Sequence, residues 1–210
     1  MLRVLIADDH PVFRRGLKQI IDDTPDMFVA DEAIDGWEAL HKATTGDYDV
    51  VLLDISLPFK NGLDVLSQLK AARPALPVLM LSMHPEEQHA VRALKTGASG
   101  YLTKESAPEE MLSAIRKVSR GGKYVSASLA ETLASMLNEH DERLPHEALS
   151  NREYQVMCLI ASGKSVSEIA QELSLSVKTV STYRARILKK LRMTNNAELI
   201  RYATKNELVD

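Results

Sequence analysis

The sequence predicts an α/β domain built on a doubly wound, five-stranded parallel sheet, followed by a smaller all-α domain. Three observations predict it. Over about the first 120 residues, short apolar runs alternate with stretches whose apolar positions recur at helical spacing, and the joins are short. From Ser150 onward the apolar repeats are helical, and Ser/Asn–x–x–Glu signatures open several segments. Charge divides at the same place: residues 150–210 hold 10 Lys/Arg against 6 Asp/Glu, a net of +4, whereas residues 1–149 hold 16 against 23, a net of −7.

In order, residues 2–8 read as a strand that ends on Asp8-Asp9, and residues 11–22 as a helix with Val12, Leu17, Ile20 and Ile21 apolar. Residues 28–33 form a second strand. Asp35 and Glu38 have capping-box spacing and open a helix to about Thr44. Residues 50–54 are a third strand, apolar throughout until Asp54, as a strand buried on both faces requires. Pro58 and Gly62 then mark a loop, and a helix over residues 63–72 stops near Arg73-Pro74. Residues 78–82 are a fourth strand, 86–96 a helix stopped by Gly97, and 100–103 a fifth strand. Ser106, Pro108 and Glu109 combine a cap residue, an early helical proline and a matched Glu, opening a helix that stops at Gly121-Gly122. Five strands alternating with five helices, joined by right-handed crossovers, give a sheet covered on both faces, of flavodoxin-like order.

Residues 1–121 form the first domain and 122–148 a linker, in which 126–137 have the spacing of an amphipathic helix and 138–148 are polar and flexible. The second domain, 149–210, opens with capping boxes at Ser150/Glu153 and Ser165/Glu168. The second box starts a short helix to Leu173; Ser174-Leu175-Ser176 is a tight connection, residues 177–191 a longer basic helix, and Asn195 opens a last one. A short helix, a three-residue turn and a longer basic helix make the helix-turn-helix pattern.

Composition narrows the classes of function. No run approaches the roughly 20 apolar residues of a membrane span, and the N-terminus lacks the basic and apolar segments of a secretory signal. A single cysteine, Cys158, allows no intrachain disulfide and sits among apolar neighbours as a small core residue. A cytoplasmic protein with no membrane partner is expected.

In a parallel sheet, Asp8, Asp9 and Asp54 share the carboxyl edge of the strands, where ligands bind. Three close carboxylates repel unless a cation binds among them. Oxygen ligands at an open edge suit Mg²⁺, which keeps waters and bridges phosphoryl oxygens. A carboxylate beside it can attack phosphorus to form an acyl phosphate. Ser82 ends the fourth strand with a hydroxyl and Lys104 follows the fifth with a positive charge, both suited to a phosphoryl group. Taken singly, each has a structural explanation: a helix cap, a loop hydrogen bond, a solvated charge. Compatible groups at four strand ends are the sharper signal.

On the basic helix, Val180, Ile187 and Leu191 fall on one side, to pack inward. Lys178, Ser181, Thr182 and Ala185 fall on another, small enough for backbone to approach a major groove. Arg184, Arg186, Lys189 and Lys190 flank them, toward phosphates. A solvated basic face is the plain alternative; the preceding helix and tight turn favour double-stranded DNA.

Residues 1–120 resemble a response-regulator receiver domain, on Asp8-Asp9-His10, Asp54 with Leu57-Pro58 and Gly62, Ser82, Gly97-Ala98, Tyr101 and Lys104. The resemblance implies a partner histidine kinase and Asp54 as phosphoacceptor. It implies Mg²⁺ on Asp8, Asp9 and Asp54, completed by the carbonyl of Ile55 or Ser56. Ser82 would be the switch hydroxyl, Tyr101 the switch aromatic and Lys104 the phosphate partner. Glu105 stands where many receivers have a proline, often with a cis bond. Residues 150–205 resemble a LuxR-type helix-turn-helix domain through LSNRE, GKSVSEIAQEL, LSLSVKTVSTYRARILKKL and NNAELI. That implies DNA contacts from Lys178, Thr179, Ser181, Thr182, Arg184, Ala185, Arg186 and Lys189, and a dimer contact through the last helix. Tyr183 and Asn196 depart from the histidine and arginine common there. The whole chain resembles a NarL/FixJ-family response regulator, which implies sequence-specific binding to promoter DNA under phosphorylation control, as a homodimer when phosphorylated or DNA-bound.

Two other classes compete. An aspartate-nucleophile enzyme such as a phosphatase commonly needs a general acid two residues after the nucleophile, and that position is Ser56. An unphosphorylated interaction scaffold has no need of the full set Asp8, Asp9, Asp54, Ser82 and Lys104.

Overall fold

The computed structural model describes residues 1–83, 86–126, 129–131, 144–206 and 208–209, with backbone alone at 86–88 and 147. The chain divides into two compact units, Met1–Thr132 and Leu133–Asp210.

The first unit is a five-stranded parallel sheet of order β2-β1-β3-β4-β5. Its strands are β1 (Leu2–Ala7), β2 (Met27–Ala33), β3 (Val50–Asp54), β4 (Val78–Ser82) and β5 (Gly100–Thr103). Five helices alternate with them: α1 (Pro11–Asp22), α2 (Gly36–Thr45), α3 (Gly62–Ala72), α4 (Glu86–Thr96) and α5 (Pro108–Ser119). β3 and β4 are buried at every position, which is why they read as unbroken apolar runs and not as alternation. On one face Val4, Ile6, Val50, Leu52, Leu79, Leu81 and Leu102 pack with Leu17 and Ile21 of α1 and Met111, Ala114, Ile115 and Val118 of α5. The strand order reverses between β1 and β3, which pair directly from Val4↔Val50 to Ala7↔Leu53. Such a switch point opens a crevice at the carboxyl edge, and Asp8 and Asp54 lie on either side of it.

Local chemistry sets the helix starts, with two departures from the sequence reading. Asp35 caps α2 by accepting from the Trp37 and Glu38 N–H groups. Glu38, however, reaches back one residue further than a capping box, to the Ile34 N–H at 2.9 Å. At α5 the N-cap is Ala107, with no side-chain bond, and Pro108 carries the start. Ser106 pairs instead with the Thr103 hydroxyl at 3.3 Å. The peptide between Lys104 and Glu105 is trans, as are all the described bonds.

Both ends of the segment read as linker are structured. Tyr124 bridges to Gly100 at the edge of β5, its phenol donates to Glu110 Oε1 at 2.6 Å, and Lys123 Nζ donates to the Ala98 carbonyl. Residues 145–148 form a 3₁₀ turn in which His146 is buried, its Nδ1 2.9 Å from the Tyr202 phenol. An aromatic pair and a proline-started turn hold these ends, and neither leaves an apolar period in the sequence. Of the helix expected over 126–137, most lies outside the described residues. Residues 129–131 are helical, and the Leu129 N–H meets Ser126 Oγ at 3.1 Å.

The second unit is helical: α6 (Asn151–Ala161), α7 (Val166–Glu172), α8 (Val177–Leu191) and α9 (Asn196–Lys205). Both capping boxes form in full, at Ser150/Glu153 and Ser165/Glu168. α7 closes with Leu175 N–H on the Ala170 carbonyl and Ser174 N–H on that of Gln171, which puts Ser174 in the left-handed region at φ 52°. That three-residue turn sets α8 across α7. Val180, Ile187, Leu188 and Leu191 of α8 join α6, α7 and α9 in one core, which also takes up Cys158. No described helix is long and apolar enough to cross a membrane.

A tight backbone approach lies under the acidic edge. A Cβ at Gly62 would stand 2.0 Å from the Asp54 carbonyl oxygen, which is fixed in the sheet. Gly62→Ala is expected to lower stability by on the order of 2 kcal/mol or more, read as an earlier urea midpoint. An unshifted midpoint would show that the loop has room.

Candidate functional site

The carboxyl edge gathers the acids that the sequence singles out. Asp8 follows β1 directly and Asp54 ends β3; both are buried, at 0% and 1% exposure. Lys104 follows β5, its own backbone N–H bonded to the Ser82 carbonyl at 2.7 Å. Its ammonium lies 2.6 Å from Asp8 Oδ2 and 2.9 Å from Asp54 Oδ2. Asp54 Oδ1 accepts the Ser56 N–H at 3.2 Å. Burial pushes the Asp54 carboxyl up, to about 6, with Lys104 pulling it down and the Asp8 charge adding to the rise. Burial works against the Lys104 charge, yet Asp54 and Asp8 outweigh it and hold its pKa above the ordinary lysine value.

Asp9 is partly exposed beside them. Ligand atoms of Asp8, Asp9, His10 and Asp54 all lie within 4.8 Å of one another. Asp8 Oδ2 and Asp9 Oδ1 are buried, and among the described residues the first meets the Lys104 ammonium and the second the His10 imidazole. Buried carboxylate oxygens short of donors are what a hard cation satisfies. The donor set therefore fits a metal ion.

Neighbouring groups that the sequence reading left out of the site complete it. His10 Nδ1 is 2.9 Å from Asp9 Oδ1, and the His10 backbone N–H donates to Asp8 Oδ1 at 2.8 Å. Arg14 Nη1 donates to the Asp8 carbonyl at 2.7 Å while its Nε engages Glu32. The Phe13 ring lies 5.0 Å from Lys104 Nζ. Their signal was available: they flank or follow Asp8-Asp9 on the first turn of α1, which must start at the same edge. Ser82 and Tyr101 are both buried. Ser82 stands one residue beyond Leu81, the partner of Asp54, whereas Tyr101 pairs with Met80, deeper in the sheet.

The basic helix α8 presents Lys178, Ser181, Thr182, Ala185, Arg186 and Lys189 to solvent. Two expected contact hydroxyls are also used inside the domain. Thr179 is half-buried and pairs with the capping Ser176 at 2.8 Å; Thr182 bonds back to the Lys178 carbonyl at 2.9 Å. Lys190, one of the expected phosphate flanks, stays exposed but pairs with Glu153 Oε2 at 2.6 Å. Glu153 is buried, which raises its carboxyl, but Lys190 and Ser150 outweigh that and hold it below the usual range. Arg184 is half-buried, with Nε donating to Asn196 Oδ1 at 2.6 Å.

The raised Asp54 value carries a pH dependence. Between about pH 4 and 6 the folded carboxyl keeps a proton that the unfolded chain, with its carboxyl near 3.8, has released. Stability therefore falls as pH rises through that window. Without added metal, Asp54→Asn is expected to gain on wild type by on the order of 2–3 kcal/mol from pH 4 to about pH 7. Urea unfolding followed by Trp37, the one tryptophan of the chain, measures this. A gap that does not change with pH would place the Asp54 titration at its ordinary value.

Comparison with known proteins accounts for both units. Residues 4–116 match the family model of the response regulator receiver domain, and residues 147–203 that of bacterial regulatory proteins of the luxR family. The chain is 36% identical over 209 residues to the response regulator UvrY of Escherichia coli strain K12, spanning 99% of this chain and 96% of UvrY. It is 36% identical over 213 residues to the response regulator GacA of Pseudomonas aeruginosa, spanning 100% and 99%. Among solved structures, RcsB from Salmonella enterica serovar Typhimurium, bound to promoter rprA in the presence of the phosphomimetic BeF3−, aligns with a TM-score of 0.65 at 25% identity, over 97% of this chain and 98% of RcsB. With both domain models matched in this order and full-length relatives of the same kind, the chain belongs to the NarL/FixJ family of two-component response regulators, a receiver domain followed by a LuxR-type helix-turn-helix domain.

Proposed function

We propose that Asp54 accepts a phosphoryl group from a histidine kinase and that this modification controls binding of the helical domain to promoter DNA. The observation that carries it is the buried Asp54 carboxylate held 2.9 Å from Lys104 beside Asp8. In the transfer, Asp54 attacks phosphorus as an ionised carboxylate. An O–P bond forms, the N–P bond of the phosphohistidine breaks, and the imidazole leaves with the bonding pair. Asp8, Asp9 and Asp54 would hold Mg²⁺. Of the two candidate carbonyls, that of Ile55 already accepts the Gly62 N–H at 2.9 Å, which favours Ser56 as the remaining ligand. Bound there, Mg²⁺ supplies charge neutralisation to the phosphoryl oxygens. Lys104 exchanges its Asp54 contact for a phosphoryl oxygen, and the Ser82 hydroxyl takes another.

The new charge biases a two-state arrangement of loop and helix, in which Ser82 and Tyr101 move together. Lys178, Thr179, Ser181, Thr182, Arg184, Ala185, Arg186 and Lys189 form the DNA-facing set: exposed small residues toward base edges, basic residues toward phosphates. Thr179 serves it through the helix cap. The reading takes residues 1–121 as the receiver, extended in its packing to Tyr124, and 149–210 as the DNA-binding domain, in a cytoplasmic protein that acts as a homodimer when phosphorylated or DNA-bound. It is a transcriptional regulator and not an enzyme; Ser56, two residues after Asp54, provides no general acid for turnover.

Incubation with Mg²⁺ and phosphoramidate should place one base-labile phosphoryl label on the wild type and none on Asp54→Asn. Chelating the metal should slow labelling by about tenfold or more, since a bound cation contributes several kcal/mol of charge stabilisation. Equal labelling of Asp54→Asn, or steady hydrolysis of a phosphate ester over many turnovers, would overturn the assignment.

A further inference from the structure

The basic side chains with ion pairs are held by carboxylates: Arg14 by Glu32, Arg116 by Asp26, Lys164 by Glu172, Lys190 by Glu153. Arg184 differs. Its Nε donates to the side-chain carbonyl of Asn196 at 2.6 Å. Among the described residues no carboxylate lies in ion-pair reach of it, and its two terminal nitrogens have no partner. The guanidinium is thus anchored at one edge by a neutral group. Its charge is not offset, and two parallel N–H donors remain, the fork that matches a phosphate.

The anchor is itself rigid. Asn196 is the first residue of α9, whose start is tied down on several sides. Arg192 turns through the left-handed region at φ 56°, and the Met193 N–H closes on the Leu188 carbonyl at 2.8 Å. Asn195 caps Glu198 at 3.0 Å. Glu198 in turn accepts from the Thr194 N–H and hydroxyl at 2.7 and 2.9 Å, so its carboxylate is engaged away from Arg184. Arg184 itself flanks the exposed stripe of α8, one position before Ala185 and three after Ser181.

We propose that Asn196 is a positioning residue for DNA binding, an uncharged clamp that aims the Arg184 guanidinium at a backbone phosphate. This rests on the DNA-binding reading above and deepens it. An amide at this position orients the arginine and leaves its full charge for the phosphate. A carboxylate would orient it and cancel the charge; an alanine would leave the charge and lose the orientation. The contact is to phosphate, so it acts on any sequence and fixes the register of α8 in the groove without reading bases.

The test uses the full chain, treated with Mg²⁺ and phosphoramidate, on a short mixed-sequence DNA duplex across a salt series. Arg184→Ala should weaken binding and lower the slope of log affinity against log salt by about one, the loss of one phosphate contact. Asn196→Ala should weaken binding roughly three- to tenfold, as loss of one hydrogen bond allows, with the slope unchanged. Asn196→Asp, which suits a first helical turn and keeps the fold, should lower the slope by about one. In the Arg184→Ala background, Asn196→Ala should add nothing. Additive losses in the double variant, or a wild-type slope in Asn196→Asp, would overturn the clamp while DNA binding stands. Absence of any salt-dependent binding by the wild type would remove the DNA-binding reading and the clamp together.

Discussion

The contact on which the first domain turns is a single ammonium set between two buried carboxylates. Lys104 meets Asp8 and Asp54 at the one place where the strand order of the sheet reverses. Without a cation, two carboxylates so buried could not both ionise. With Lys104 there, the site is held together but not neutralised: Asp9 is close by, and burial still holds the Asp54 carboxyl up, at about 6. The edge is therefore poised, short of positive charge and short of hydrogen-bond donors. The metal ion and phosphoryl group of the proposed function would answer that deficit jointly, one bringing charge and the other giving the lysine a new partner. The scaffold accommodates this because β1, β3 and β4 are fully paired, and Gly62 lets the loop after β3 fold directly onto the Asp54 carbonyl.

The second domain obeys a different constraint, that of getting four short helices to start and stop correctly. Serine and asparagine caps and left-handed turns do this, and the core follows. One polar feature crosses that core boundary. Glu153 both closes the capping box of α6 and receives Lys190 from α8. That gives one exposed lysine of the basic helix a carboxylate partner and ties the helix to α6. What remains outward is a stripe of small and basic residues on a helix that cannot roll. Rigidity of this kind suits the proposed DNA binding, because a stripe that read bases would be useful only with its register fixed.

Much of this was written in the chain itself. The buried strands are unbroken apolar runs, most of the helices carry their own cap residues, and the strand-to-helix alternation forces a parallel sheet with its acids on one edge. Asp8, Asp9, Asp54, Ser82 and Lys104 could be picked from sequence because each stands at the end of an apolar run. Packing partners that obey no period carry no such mark, and at most their nearness to a strand end points to them. His10, Phe13 and Arg14 join the acidic edge through the angle at which α1 leaves β1. The 3₁₀ turn at residues 145–148 joins the helical domain through His146 and Tyr202, 56 positions apart. Ser106 looked like a cap and is not one, because Pro108 alone sets the start of α5.

What the sequence by itself determined is the kind of each element and the chemical character of its ends, since periodicity and caps act over a few residues. What only the tertiary structure decided is how each charge is used. Lys190 and Arg184 lie on the same basic helix and look alike in the chain. One is turned to Glu153 and the other rests on Asn196. That difference depends on which helix packs beside each, and a contact between distant residues leaves no local pattern to read.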